Sequence, residues 1–136
     1  MELGGKHVLV LGLGISGMAA AELALHQEAH VTVIDTGGSS VLQDRAENLR
    51  QNGATVVLHF DESQLNPSVD LAVISPGISS DSPLGEFASS LQCPVLSELA
   101  FGAQYCQCPS LAVTGTNGKT TTVELTVHCL TEAGLR

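Results

Sequence analysis

The chain has 136 residues and a formal net charge of −9, with five basic residues against fourteen acidic ones. This length suffices for one domain with its own core. The shortage of Lys and Arg argues against nucleic acid or an anionic membrane as a partner, because both need a basic patch. The sequence shows no signal peptide at its start and no apolar run of membrane-spanning length. We therefore expect a cytoplasmic protein.

The first third of the chain predicts a strand, a helix and a second strand. The apolar run His7–Leu11 is typical of a strand covered on both faces, and residues 18–25 are rich in the strong helix formers Ala and Leu. A G-x-G-x-x-G motif at residues 12–17, called here the first glycine loop, joins them. The second strand, His30–Ile34, ends at Asp35. A βαβ unit with this motif and this acidic residue predicts a nucleotide-type site.

Strand and helix patterns continue to alternate through the middle of the chain. A capping box at Ser40 and Gln43 predicts the next helix, and the order Ser82-Pro83 predicts the start of another. The remaining elements predicted are a strand at 54–58, a loop at 61–68, a strand at 71–74, a strand at 94–96 and a helix from 97 to about 105. This alternation predicts an α/β, Rossmann-like fold: a parallel sheet with helices on both faces.

Three loops of this sheet are expected to meet. Ligands bind parallel sheets at the carboxyl ends of the strands, near the point where strand order reverses. The loops at 12–17, 35–38 and 75–80 all follow predicted strands, and each holds glycine together with Ser, Thr or Asp. Ser75-Pro76-Gly77 by itself is equally typical of an ordinary turn. Its place opposite the first glycine loop favours a role in binding.

Residues 111–122 predict a strand, a loop and the start of a helix. The run at 111–113 is apolar and β-branched, as in a short buried strand, and the pattern breaks at Gly115. Apolar residues at helical spacing resume after Lys119. This is the build of a phosphate-binding loop, in which successive backbone N–H groups and a helix N-terminus face one anion. Residues 115–121 are called here the second glycine loop.

The second glycine loop carries the side chains that phosphate binding needs. Lys119 would set a positive charge against the outer phosphates, and the Thr120 hydroxyl could bind Mg²⁺. The spacing is a short G-x-x-G-K-T, because Val113 stands where the longer motif has its first glycine. A glycine turn before a helix that happens to contain a lysine is the alternative. A phosphate loop normally opens a domain, so we place domains at 1–108 and 109–136 and expect an incomplete active site here.

The two glycine loops favour different functions when each is taken alone. Residues 1–108 have the pattern of an NAD-binding module, with Asp35 on the ribose hydroxyls. Hydride transfer needs no ATP, however, so a phosphate loop that follows such a domain is hard to explain. Two nucleotide sites account for both loops: one for the nucleotide handle of a substrate, and one for ATP.

The second glycine loop resembles the ATP loop of the Mur ligases, whose short spacing it shares. Within that family, residues 12–17, the Asp35-Thr36 pair and residues 73–78 are most similar to the branch that adds D-glutamate to UDP-N-acetylmuramoyl-L-alanine. Residues 94–99 are similar to the family's approach to its ATP domain. The resemblance covers essentially the whole chain and the N-terminal part of such an enzyme. Other Mur ligases and folylpolyglutamate synthetases share the ATP loop, but they match the other motifs less well.

The resemblance implies an ATP-dependent, Mg²⁺-requiring ligase of peptidoglycan precursor synthesis that acts as a monomer. ATP phosphorylates the L-alanyl carboxylate, and the D-glutamate amine then displaces phosphate from the acyl phosphate. The first domain would hold the UDP part of the substrate, and the second would hold ATP. These 136 residues alone are expected to be inactive, with no complete catalytic set.

The resemblance also implies the roles of individual residues. Ile15 and Ser16 would border the UDP phosphates, and Asp35 and Thr36 would address the uridine. The substrate-binding set is Gly14, Ile15, Ser16, Asp35, Thr36, Ser75, Pro76 and Gly77. The ATP-binding set is Gly115, Thr116, Asn117, Gly118, Lys119, Thr120 and Thr121, with Thr120 near Mg²⁺. A basic residue often follows the Asp-Thr pair in the family, whereas Gly37 does here, so a contact to the uracil region is missing or comes from elsewhere.

Overall fold

The computed structural model describes residues 1–61 and 68–135. The chain divides into two compact units, Met1–Cys106 and Gln107–Arg136. Most of the loop predicted at 61–68 lies outside the described residues. No helix within the described ranges is long and apolar enough to cross a membrane.

The first unit contains a five-stranded parallel sheet. Its strands are β1 (His7–Leu11), β2 (His30–Ile34), β3 (Thr55–Val57), β4 (Leu71–Ile74) and β5 (Val95–Ser97). They lie in the order β3-β2-β1-β4-β5, and every neighbouring pair is parallel. Strand order therefore reverses between β1 and β4. The predicted Rossmann-like sheet is confirmed.

Helices cover both faces of this sheet. They are α1 (Ile15–His26), α2 (Ser40–Gln51), α3 (Pro83–Ser90) and α4 (Glu98–Ala103). Apolar residues of α1, α2 and α4 belong to one core cluster, and those of α3 belong to the other. The two clusters share no residue, so the sheet separates two cores, as helices on both faces of a parallel sheet require.

The alternation of side chains along β1 creates these two cores. Val8 and Val10 point into the larger cluster, whereas Leu9 and Leu11 point into the smaller one. All four are fully buried, which explains why β1 is a continuous apolar run and not an alternating one. In the smaller core the Phe60 and Phe87 rings pack at a tilted 60° with centroids 5.0 Å apart. Such pairs add about 0.5–1.5 kcal/mol beyond the area they bury.

Serine caps determine where three helices begin. The Ser82 and Ser97 hydroxyls accept hydrogen bonds from backbone N–H groups three residues later, each at 3.2 Å, so the helix start predicted at Ser82-Pro83 is confirmed. The capping box predicted at Ser40 is wrong by one residue. Ser39 accepts from the Leu42 N–H at 3.4 Å, and the Gln43 side chain donates to the Gly38 carbonyl. Two adjacent serines satisfy the same pattern, and the turn geometry selects the first.

The other boundaries shift by a few residues at most. The strand predicted at 54–58 is β3 at 55–57, and the one predicted at 94–96 is β5 at 95–97. The helix predicted to reach about residue 105 ends at Ala103. The first helix begins at Ile15, directly after its glycine cap. These differences follow from backbone pairing, which the apolar pattern does not specify to the residue.

The second unit contains helix α5 (Lys119–Glu132), which begins where the apolar spacing predicted it. The prediction of a strand at 111–113 is wrong, because these described residues form no strand. Leu111 is 77% exposed. A strand is defined by its ladder of hydrogen bonds with a neighbour, and the described residues of Gln107–Arg136 include no other strand.

At the amino end of the sheet, His7 links β1 to β2 and to the residues that precede β4. The His7 ring contacts the Thr32 hydroxyl through Nε2 at 2.8 Å and the Ser68 carbonyl through Nδ1 at 3.0 Å. Its backbone N–H donates to the Asp70 carboxylate at 2.8 Å. Thr32 is buried, so its hydroxyl depends on this ring for a partner.

We expect His7→Leu to lower the free energy of unfolding by about 1–3 kcal/mol, because it leaves the Thr32 hydroxyl buried and unpaired. Urea denaturation monitored by circular dichroism measures this loss. Thr32→Val and the double variant complete the cycle. The double variant should lose less than the sum of the single variants, and strict additivity would show that the two side chains are not coupled.

Candidate functional site

The loops after β1, β2 and β4 meet at one cavity of approximately 330 Å³ at the carboxyl ends of the strands. This is where strand order reverses. The cavity is lined by Gly12, Gly14, Ile15, Ser16, Asp35, Ser75, Pro76, Gly77 and Ile78. The structure thus brings together every residue of the predicted substrate-binding set except Thr36. Thr36 is exposed and follows Asp35, which lines the cavity.

Two glycines of the first loop allow close backbone packing. Gly12 has φ +91°, and a Cβ there would lie 2.9 Å from Ile78 Cδ1. A Cβ on Gly17 would overlap the Gly12 carbonyl oxygen. These positions therefore require glycine for the first turn of α1 to rest on the loop that precedes it. The buried Ser75 hydroxyl donates to the same Gly12 carbonyl at 3.4 Å and ties the β4 loop to it.

Gly14 has a different role, because the space around it is open. Apart from Gly14 itself and the chain next to it, no heavy atom lies within 4 Å of where its Cβ would be. Gly14 is the N-cap of α1 and makes no side-chain cap, and the first turn contains no acidic residue. The backbone N–H groups at the start of α1 and the positive end of its dipole border the cavity at Ile15 and Ser16. This arrangement suits an anion.

Asp35 joins two of the three loops. One carboxylate oxygen accepts from the Leu13 N–H at 2.7 Å, and the other accepts from the Gly37 N–H at 2.7 Å. Bonds from backbone N–H groups to a carboxylate are among the stronger hydrogen bonds in proteins. Each oxygen retains a further acceptor position, so the carboxylate can also receive a ligand hydroxyl. Sequence reasoning assigned the ligand contact and missed the structural one.

The absence of a side chain at residue 37 has a local cause. A Cβ on Gly37 would lie 2.7 Å from Leu42 Cδ1 and 3.1 Å from the Asp35 carboxylate. A Cβ on Gly38 would overlap the ring of His59, which covers this turn. His59 has φ +53°, an uncommon backbone conformation for a non-glycine residue, and its N–H donates to the Gly37 carbonyl at 3.2 Å. No local sequence pattern indicated that His59 contacts the Asp35 loop.

A second residue that sequence reasoning missed is Arg45 on α2. Its Nη1 donates to the Leu13 carbonyl at 3.0 Å. The backbone of Leu13 is therefore bonded by two side chains of opposite charge: its N–H donates to Asp35, and its carbonyl accepts from Arg45. The residues are 32 positions apart, so no local motif could have indicated the contact.

The loop after β4 contains a further acidic group. The exposed Asp81 carboxylate accepts a hydrogen bond from the Ser79 hydroxyl, which holds the pKa of Asp81 below its usual range, and its own backbone N–H acts in the same direction. Ser82 donates to the Ser79 carbonyl at 2.7 Å and also caps α3. Asp81 does not line the cavity.

The ATP-binding set named from the sequence lies in the second unit, in one continuous loop and the first turn of α5. Gly118, at φ +81°, is the helix cap. The Lys119 ammonium donates to the Gly115 carbonyl at 2.6 Å and reaches the Thr116 carbonyl at 3.4 Å. The lysine therefore folds back across its own loop. All residues of the second glycine loop are exposed.

Residues 6–97 match the family described as Mur ligase MurD-like, N-terminal domain. The chain belongs to this family. It is 37% identical over 135 residues to the UDP-N-acetylmuramoylalanine–D-glutamate ligase of Desulfatibacillum aliphaticivorans, covering 99% of this chain and 30% of the relative. It is 42% identical over 138 residues to the ligase of the same name from Thermobifida fusca, covering 100% of this chain and 30% of that relative.

A solved murein peptide ligase from Psychrobacter arcticus matches 96% of the chain and 27% of its own length, with a TM-score of 0.63 and 26% identity. The chain thus spans about 30% of the length of the relatives it matches. The MurD-like match includes every residue that lines the cavity, whereas the second glycine loop lies beyond residue 97.

Two alanine substitutions in this MurD-like domain test whether Gly17 is needed for close packing and whether the space beside Gly14 is open. Gly17→Ala should lower the free energy of unfolding by at least about 2 kcal/mol, because the new methyl group overlaps the Gly12 carbonyl. This loss is expected although Ala is intrinsically the better helix former. Gly14→Ala should cost less than about 1 kcal/mol, since its methyl group enters open space.

Urea unfolding of both variants measures the difference. Equal stability of the two variants would mean that α1 does not rest on the Gly12 carbonyl.

Proposed function

We propose that the chain is the substrate-binding part of an ATP-dependent ligase that adds D-glutamate to UDP-N-acetylmuramoyl-L-alanine. The observation that carries this proposal is the cavity at the carboxyl ends of β1, β2 and β4, which the first residues of α1 border. The names of the relatives supply the substrate and the amino acid that is added. The proposed enzyme is cytoplasmic, monomeric and part of peptidoglycan precursor synthesis.

In this proposal the diphosphate lies against the N-terminus of α1. The open space at Gly14 lets the phosphate oxygens approach the backbone, and the N–H groups of Ile15 and Ser16 bind them. Ile15 is 80% exposed and would cover one side of the ligand. Ser75, Pro76 and Gly77 form the opposite wall of the cavity, which they line.

The uridine lies towards the loop after β2. Asp35 would accept from a ribose or uracil group through the acceptor positions that its two backbone partners leave open. The exposed hydroxyl of Thr36 would add a second polar contact. Because Asp35 also holds Leu13 and Gly37, ligand binding and loop geometry depend on the same carboxylate.

The second glycine loop, at 115–121, is proposed to bind the phosphates of ATP. Its composition fits: a helix start without acidic residues, a lysine ammonium at the loop and a threonine hydroxyl beside it. Lys119 would exchange its bonds to Gly115 and Thr116 for bonds to the outer phosphates. Mg²⁺, when bound near Thr120, supplies neutralising charge for the phosphate oxygens.

The carboxylate of the L-alanyl group is the phosphoryl acceptor in the proposed reaction. The D-glutamate amine then forms the amide bond as phosphate leaves the acyl phosphate. Catalysis of this kind depends mainly on positioning and on neutralising charge. The residues of the first unit would contribute to positioning, by fixing the UDP end of the substrate.

Calorimetric titration of the 136-residue chain with UDP-N-acetylmuramoyl-L-alanine and, separately, with NADH tests this function against an NAD-binding module. We expect micromolar affinity for the UDP compound and no response to NADH. Micromolar binding of NADH without binding of the UDP compound would overturn the proposal.

A pair of variants tests the location of the site. Gly14→Ala should weaken binding of UDP by roughly tenfold, because the methyl group occupies the space proposed for a phosphate oxygen. Gly4→Ala is the matched control, because it also meets no atom within 4 Å but does not line the cavity. It should bind like the wild type. Equal effects of the two substitutions would contradict this placement of the diphosphate.

A further inference from the structure

Arg45 holds the first glycine loop from outside the loop itself. Its guanidinium donates to the carbonyl of Leu13, whose N–H donates to Asp35. Leu13 is fully buried and lies between Gly12 and Gly14, which both line the cavity. The contact therefore fixes the peptide that leads directly into the N-cap of α1.

The charge of Arg45 is exceptional at this edge of the sheet. The chain has five Lys and Arg residues against fourteen acidic ones. Lys6 directly precedes β1 and so lies at the amino end of the sheet, and Arg50 donates to the Val56 carbonyl. The other two belong to the second unit. Among the described hydrogen bonds of the first unit, the one from a Lys or Arg side chain to a loop that forms the cavity is therefore made by Arg45.

A diphosphate bound at the start of α1 would share the cavity with the Asp35 carboxylate. Like charges at short range in a partly desolvated site disfavour binding. A cation that bonds the same loop residue as Asp35 offsets this repulsion. The position after Asp35-Thr36 cannot easily supply it, because a Cβ on Gly37 would lie 2.7 Å from Leu42 Cδ1.

We propose that Arg45 is a positioning residue for the diphosphate of the nucleotide ligand. It fixes the Leu13 carbonyl, so that the N–H groups at the start of α1 face the phosphates, and its charge compensates that of Asp35. This inference rests on the proposed function, since it takes a nucleoside diphosphate to be the ligand. It adds a residue of α2 to a site otherwise built from loops.

NMR titrations with UDP and with uridine test the role of Arg45. We expect Arg45→Gln to weaken UDP binding about tenfold and uridine binding less than about twofold, because only UDP carries the diphosphate. Arg45→Lys keeps the positive charge and an ammonium that can still donate to the Leu13 carbonyl, so it should stay within about threefold of the wild type for UDP. Arg50→Gln is the matched control, because Arg50 lies on the same helix and also bonds a backbone carbonyl. It should leave both affinities unchanged.

Amide hydrogen exchange of the wild type and of Arg45→Gln without ligand gives an independent measurement. Faster exchange at the Leu13 amide in the variant is expected, with unchanged exchange in β1. The inference is overturned if Arg45→Gln weakens UDP and uridine equally, if it has no effect, or if Arg50→Gln has the same effect. Wild-type protein that binds no UDP would instead overturn the proposed function, and this inference with it.

Discussion

The contact of Gly17 with the Gly12 carbonyl decides where helix α1 begins and what its N-terminus faces. No residue with a Cβ fits at position 17 without moving the loop that follows β1. Since β1 is buried on both faces and paired on both sides, that loop cannot move far. The start of α1 is therefore held against the carboxyl ends of the central strands. A helix dipole aimed at a cavity is, in this fold, a consequence of backbone packing.

The same packing limits how the cavity can be built. Ser75 and Asp35 reach the first glycine loop from the strands on either side of β1, and each bonds a backbone group of that loop. Both also line the cavity, so their polar atoms serve the loop geometry and remain within reach of a ligand. Asp35 shows this most clearly. An acidic residue at the end of β2 is usually interpreted as a ribose contact, yet here both of its oxygens accept from backbone amides.

The sequence predicted the fold well where burial is continuous. The bounds of β1, β2 and β4 agree with the prediction residue for residue, because each is an apolar run that ends at a polar or glycine residue. It failed where a partner decides the structure. Ser39 and Ser40 both fitted the pattern of the helix cap, and the described residues of the second unit include no strand that could pair with 111–113. Arg45 and His59 could not be found from local patterns, since their contacts join residues distant in sequence.

The two glycine loops differ in how far apart in the sequence their supporting contacts lie. Lys119 bonds carbonyls three and four residues away, and the Thr122 hydroxyl bonds the Gly118 carbonyl four residues away. These contacts are local, since both residues of each pair lie between Gly115 and Thr122. The first loop depends instead on Asp35, Arg45 and Ser75, which lie 22 to 63 residues from their partners. A glycine pattern of that kind is ambiguous by itself, and its geometry becomes specific only when the folded sheet brings those side chains to it.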